Sequence, residues 1–523
     1  MENRQLIQRE MRSVDIFGLV GAGALFILLA NLGALPLWGS EGRWAVIARS
    51  MLSSGDIFTP RLGNCTYWDK PLISYWQILP GAYLLGGVSE LAARLPSMIW
   101  ALVMLVLTYD LAKRKFNTRT GLLSAVILCT TYGFVFWGRN AQVEMTNAGI
   151  ILLALWYFLK HKSDQGHTWV FVLGIIMAVG SNMKGLTAFT IPVSCIIVLS
   201  MVKHDWSWLP PLKILFPAIV ISAGIFLCLF LVAGALSSSW EPLHLVWKEN
   251  VVRFFRPYDH KGSFYLYCYR IFDLAAPWSL FLPPALFALW KDQRQGKIRS
   301  FEIPVFLGVI FLFFTLAGTR RPYYLLPILP FVAILVGDFL AHFLDQDLSP
   351  TLDRITQVIG LIMAAILAAP CIVFLFKPDL APGGMEGLLP AGIVLCLSAI
   401  PIGWGFIKRQ ASFMILPIVI LWGVFVLAVV PRIAEKPGNI RIAVAKVSQM
   451  HKPVAFLGTD DAKTIFYLNR PYAIVPDIQQ AATWARDTQG ILITYDGIPG
   501  HSWGCLINRK EWKAYVLKNH SHD

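Results

Sequence analysis

Apolar runs of about 20 residues return along most of this chain, and that is the length a helix needs to cross a lipid bilayer. Backbone in hydrocarbon must satisfy its own N–H and C=O groups, so a chain of many such runs folds as a bundle of helices. The runs fall at about 14–36, 91–112, 120–137 and 146–159, then as a pair flanking Asn182-Met183-Lys184-Gly185, the second ending near Lys203. Further runs lie at about 214–236, before Trp290, and at about 302–317, 322–343, 354–376, 388–407 and 411–431. The expectation is an α-helical polytopic membrane protein of about thirteen spans. Only 15% of residues are charged and 56% are hydrophobic, against about 25% charged in soluble domains, so an ordinary soluble fold is excluded. The polar start, MENRQLIQREMRSVD, precedes a run too long for a signal-peptide core and reads as the lead into an uncleaved first span.

The formal charge of +14 would suggest nucleic acid in a soluble protein. Here it follows from basic cytoplasmic loops. With the N-terminus inside, the loops at about 113–119, 203–213, 291–299 and 408–409, rich in Lys and Arg, all fall on the cytoplasmic side. Two long polar stretches, about 37–90 and 237–275, and everything after about 432 then fall outside. Arg139, Lys184, Arg253, Arg256, Arg320 and Arg321 lie outside against the rule. Violations gathered on one face read as a site. The domain division expected is a transmembrane unit, 1–431, and a small extracytoplasmic α/β unit, 432–523. In the latter KPVAFLGT and GILITYD read as strands, and AKTIFYL and QQAATWARD as helices. Of eight cysteines, five sit in apolar runs, and no CxxC or other metal-ligand spacing appears.

The stretch Leu37–Tyr75, LWGSEGRWAVIARSMLSSGDIFTPRLGNCTYWDKPLISY, packs charges, aromatics and prolines between apolar spans. Carboxylates move protons or hold metals, and cations bind phosphate. Glu41-Gly42-Arg43 opens an interfacial helix with an apolar stripe at Trp44, Ile47 and Met51; a solvated surface helix is the equal alternative. Tyr67-Trp68-Asp69-Lys70-Pro71 sets an acid beside a base between aromatics and a proline, which is poor surface decoration. Arg139 and Glu144 flank the gap between two spans, and mutual pairing explains them best. Lys184 precedes Gly185, either snorkelling or facing a ligand where glycine permits close approach. In the second loop Glu249, Arg253, Arg256, Asp259 and His260 fall close together. Gly318-Thr319-Arg320-Arg321-Pro322-Tyr323-Tyr324 places two arginine forks, suited to phosphate oxygens, at the start of a span.

In this order the residues resemble the C-type (GT-C) membrane glycosyltransferases, specifically the branch of lipid A aminoarabinose transferases and protein O-mannosyltransferase-like enzymes. The matches are Glu41 and Arg43, Trp68-Asp69-Lys70-Pro71, Ala93-Arg94-Leu95-Pro96, Lys184-Gly185, then Glu249, Arg253 and His260, and Arg320-Arg321-Pro322-Tyr323-Tyr324. The resemblance runs the length of the chain and is strongest over 35–100. It implies an inverting enzyme that takes a sugar from polyprenyl phosphate on the outer face of the cytoplasmic membrane. Glu41 and Asp69 would be catalytic. Arg43, Lys70, Lys184, Arg253, Arg320 and Arg321 would hold the donor phosphate, and Arg139, Glu144, Glu249 and Tyr323 would complete the site. Asp69 and His260 would match a divalent metal site. Two departures stand out. Ser40 replaces the family Asp before Glu41, and Asp69 replaces a Glu. Loss of the first carboxylate either moves the base to Glu41, fits an acceptor that is already an anion, or alters the activity.

The acceptor expected is lipid A or another envelope glycolipid, with protein O-glycosylation as the alternative. A transporter or flippase for a lipid-linked anion would also need spans and cations, but it should carry ionisable groups at the bilayer midplane or in repeated halves. A receptor or assembly subunit leaves the charged loops unexplained.

Overall fold

The computed structural model describes residues 18–252, 262–296, 300–376, 385–435, 439–495, 503–508 and 512–517, apart from 64 and 165. Among these, the apolar runs are helices. Six are long and apolar enough to cross a bilayer: Glu90–Lys115, Val143–His161, Leu212–Ser237, Pro322–Leu344, Pro350–Ala369 and Ala411–Ala434. Five shorter apolar helices accompany them, among them Gly18–Leu29, Thr168–Lys184 and Thr187–Lys203. Local chemistry sets several ends. Ser89 Oγ accepts the Ala92 N–H, and Asn117 Oδ1 accepts the Thr120 N–H, each capping the helix that follows. Lys113, Arg114 and Lys115 close the first of these helices at its negative C-terminal end.

One run expected to be continuous is broken. The run at about 120–137 becomes Thr118–Cys129 and Tyr132–Gly138, bent by 61°. At the break Thr131 is extended, the Thr130 and Thr131 hydroxyls turn back to the Val126 and Ile127 carbonyls, and the Tyr132 N–H crosses to the Ala276 carbonyl. A second bent pair, Leu266–Leu274 and Trp278–Arg294 at 117° with Pro277 in the break, begins inside the stretch 237–275 expected as a loop and continues into the run before Trp290. The second long stretch, expected as a loop, also carries the helix Glu241–Trp247 and a π-turn at Lys248–Val252.

The first long stretch folds as the helix Glu41–Ser54, a short ribbon of β1 (Arg61–Leu62) and β2 (Cys65–Thr66), and two short helices, Ile73–Trp76 and Leu79–Leu84. Beyond residue 439 the alternation of strand and helix patterns produces five further strands: β3 (Val454–Leu457), β4 (Ala473–Val475), β5 (Ile491–Thr494), β6 (Trp503–Asn508) and β7 (Lys513–Leu517). They form one sheet in the order β4-β3-β5-β7-β6, parallel at β4-β3-β5 and antiparallel at β5-β7-β6. The crossovers that parallel pairing needs are the helices Ala462–Leu468 and Ile478–Thr488, each N-capped by an aspartate side chain.

Two apolar cores position the site. The larger fills the helical bundle. The second joins Trp44, Ile47 and Met51 of the first-stretch helix to Tyr75, Ala92, Ala141 and Phe466. The expected stripe is therefore an internal seam, and it faces the α/β region as well as the bundle.

Candidate active site

Glu41–Ser54 is held down along its apolar side, with Trp44 tilted on Tyr75 at 5.2 Å between ring centroids, which turns Ser40, Arg43 and one edge of Trp44 toward a cavity. The chain returns to that cavity after the β1-β2 ribbon. Arg43 Nη1 donates to the Tyr67 hydroxyl at 2.7 Å and lies 3.6 Å from Asp69 Oδ2. Burial works against the Arg43 charge, but Tyr67 and Asp69 more than offset it and hold the guanidinium above its ordinary range. Lys70 Nζ donates to the Asp69 carbonyl at 2.9 Å, sits 3.3 Å from Asp69 Oδ1, and pairs with Glu249 Oε2 at 3.0 Å. The first and second long stretches thus meet at one ammonium.

The helix Thr168–Lys184 supplies Lys184 at its last position. Gly185 follows with φ of 101°, a conformation that glycine adopts without strain, and its N–H caps the Ser181 carbonyl. The Lys184 ammonium lies 4.4 Å from the Tyr324 ring centroid and 3.5 Å from Glu144 Oε1. Arg321 donates to the Tyr323 hydroxyl at 2.5 Å, and the Tyr323 ring packs on Trp137 at 4.6 Å.

These groups line a cavity of about 440 Å³, within the usual size range of ligand sites. Its polar wall carries Ser40, Arg43, Asp69, Lys70, Glu144, Lys184, Glu249 and Arg321. The same lining includes Leu186, Phe313, Phe314 and Tyr324. Four cations, three carboxylates and apolar side chains thus share one lining, and the cations beside apolar surface suit an anionic head group attached to hydrocarbon.

Three expected site residues lie elsewhere. Glu41 is fully buried; its two oxygens take a bidentate Arg94 fork at 2.9 and 2.8 Å and the N–H groups of Ala141 and Trp38 at 2.6 Å. Both oxygens are engaged within the fold, joining the first stretch to the bundle, and Glu41 is not among the residues that line the cavity, where its expected catalytic role would need it. Arg139 does not pair with Glu144; its guanidinium caps the carbonyls of Ile27, Leu28 and Ala30. Arg320 is spent on the Thr315 and Gly262 carbonyls, and of the two adjacent arginines only Arg321 reaches the cavity. Arg253, Arg256, Asp259 and His260 lie outside the described residues. Among the described residues no three His, Cys, Asp or Glu side chains gather as metal ligands, and Asp69 is engaged by Arg43 and Lys70. Sequence reasoning gave Arg94 no role. Its position in an apolar helix was the available signal, since a buried cation there needs a partner.

Residues 69–237 match the family of dolichyl-phosphate-mannose-protein mannosyltransferases. An undecaprenyl phosphate-alpha-4-amino-4-deoxy-L-arabinose arabinosyl transferase of Pseudomonas fluorescens is 26% identical over 359 residues, covering 67% of this chain and 61% of the relative. Its counterpart in Pseudomonas aeruginosa is 27% identical over 62% of this chain and 59% of the relative. The chain therefore spans about three fifths of the length of these curated relatives. An uncharacterised protein of Aquifex aeolicus is 30% identical over 62% of this chain and 64% of its own length. In fold, the chain is similar to the crystal structure of ArnT from Cupriavidus metallidurans bound to undecaprenyl phosphate, with a TM-score of 0.74 at 19% identity, covering 96% of this chain and 98% of that one. The apo structure of the same protein gives 0.69.

Proposed function

We propose that this chain, a polytopic membrane protein with the GT-C glycosyltransferase fold, transfers a sugar from a polyprenyl-phosphate donor to an envelope glycolipid, lipid A being the first candidate. One observation carries the reading: one cavity gathers Arg43, Lys70, Lys184 and Arg321 with the apolar Leu186, Phe313 and Phe314, in a fold shared with a protein that binds undecaprenyl phosphate. In this reading Lys70 and Arg43 hold the donor phosphate and Lys184 and Arg321 assist; the phosphate role expected of Arg253 lies outside the described residues. The polyprenyl tail runs along the wall of Phe313 and Phe314. As the sugar–oxygen bond breaks, negative charge grows on the departing phosphate, and fixed cations in a partly dry site stabilise it. Asp69 and Glu249 keep Lys70 in place. The metal expected from Asp69 and His260 has no assembled donor set among the described residues, so no step is routed through it. Protein O-glycosylation is the second reading, favoured by the family match over residues 69–237.

The test is turnover of undecaprenyl-phosphate sugars by purified protein in nanodiscs, read as release of undecaprenyl phosphate. Lys70→Ala is expected to cut release by about 100-fold or more, in the range of one lost transition-state contact, while the protein stays folded. Full activity in that variant removes Lys70 from the phosphate site.

A further inference from the structure

The β1-β2 ribbon leads the chain back to the cavity. Tyr67, which accepts from Arg43, follows β2 directly, and Asp69 and Lys70 come next. The ribbon is slight. Its two pairs join Arg61 with Thr66 and Leu62 with Cys65, and Arg61, Cys65 and Thr66 are exposed. A lone two-stranded ribbon is marginal in water, so something else must hold this one. At its base the Tyr67 N–H donates to the Pro60 carbonyl at 2.8 Å. At its far end Gly63 meets the α/β region. A Cβ on Gly63 would overlap the Tyr472 hydroxyl oxygen and lie 3.2 Å from Asp460 Oδ2. Tyr472 is itself fixed. Its hydroxyl donates to Asp460 Oδ2 at 2.6 Å, and its ring stands edge-on to Phe456 at 5.1 Å, with Phe456 fully buried in β3. Burial, Asp460 and Cys65 together hold the Tyr472 hydroxyl above its ordinary range, so it remains the donor to Asp460.

We propose that Tyr472 is a positioning residue for the donor-phosphate site: held by Asp460, it seats against Gly63 and fixes the ribbon that sets Asp69 and Lys70 at the cavity. This role rests on the transferase reading, and it gives the α/β region a part in donor binding. The line of contacts is short. Phe456 of β3 supports the Tyr472 ring, the hydroxyl fills the space against Gly63, and the ribbon carries that register to Tyr67, Asp69 and Lys70. Two contacts at the cavity depend on it: Tyr67 with Arg43, and Lys70 with Glu249. A displacement of about 1 Å in groups that position a substrate is enough to cost function. A tyrosine that served only to stabilise the α/β region would have no need to press on a ribbon outside it.

The experiment compares wild type, Gly63→Ala and the double variant Gly63→Ala, Tyr472→Phe in nanodiscs. Hydrogen exchange over residues 60–70 reports the ribbon without any ligand, and equilibrium binding of undecaprenyl phosphate reports the site. In Gly63→Ala the added methyl group meets the Tyr472 hydroxyl. The expected result is faster exchange over 60–70 and affinity weakened by about 10-fold or more, as loss of one charge-assisted contact implies. Removing the hydroxyl makes room for the methyl group, so the double variant recovers most of both. The backbone strain of alanine at this position, where φ is 60°, is common to the two variants and drops out of their comparison. Exchange and affinity both unchanged in Gly63→Ala overturn the proposal. So does faster exchange with affinity unchanged, because the ribbon would then not set the site. A double variant no better than Gly63→Ala also overturns it, because the effect would not pass through the Tyr472 hydroxyl. A wild type that binds no undecaprenyl phosphate, whatever the exchange shows, overturns the donor reading itself and the positioning role with it.

Discussion

At the scale of single residues, the same chemistry reads differently once partners are known. Glu41 and Asp69 both stood out in the sequence as acids within two residues of a cation. Asp69 lines the cavity. Glu41 instead meets Arg94, 53 positions on, and no local pattern announces a partner at that distance. The pair is nearly free of solvent, with side-chain exposures of 4% and 0%. Removing one member of such a pair strands the other charge in the interior and costs about 3–5 kcal/mol. Glu41→Ala is therefore expected to lower the thermal stability of the detergent-solubilised protein sharply, whereas a catalytic role alone would leave the melting curve in place. Arg320 and Arg321 teach the same lesson. The sequence showed two adjacent forks, and only the backbone's direction decides that Arg321 faces the cavity while Arg320 caps carbonyls.

At the scale of elements, the helix Glu41–Ser54 was legible from its Trp44, Ile47, Met51 spacing, and the strands and helices after residue 439 from their short apolar runs. What no periodicity could give is that these two parts touch. A Cβ at Gly42 would lie 2.7 Å from the Lys463 backbone nitrogen, so the glycine is what lets the helix approach Ala462–Leu468. Around it Arg49 donates to the Phe466 carbonyl at 2.7 Å, and Tyr467 accepts from the Leu37 N–H at 2.7 Å and donates to Glu90 at 3.0 Å. The α/β region thus fixes the element that carries Arg43. Gly42→Val is expected to push the two apart and lower both transfer and thermal stability, measured side by side. Wild-type values of both would show that the contact is dispensable. The break at Thr131 escaped the sequence reading because hydropathy records length and polarity, and a threonine folding its hydroxyl onto the preceding turn changes neither.

At the scale of the whole molecule, the fold class was legible because long apolar runs leave a chain few alternatives. The site was legible in part because cations placed against the positive-inside rule call for an explanation. From that rule we propose that the cavity and the α/β region face outward from the cytoplasmic membrane. A reporter fused after residue 435 is expected to give an extracytoplasmic signal, and a cytoplasmic one would move the site to the wrong side for a glycolipid acceptor. The cations and apolar side chains of the cavity are proposed together to form a polyprenyl-phosphate site. The most direct measurement is equilibrium binding of undecaprenyl phosphate to the nanodisc-embedded protein and to a Lys70→Ala, Arg321→Ala double variant. The account predicts binding by wild type that weakens by about 100-fold or more in the double variant, as loss of two charge-assisted contacts of about 1.5–3 kcal/mol each implies. Equal binding by both proteins, or none by either, would contradict it.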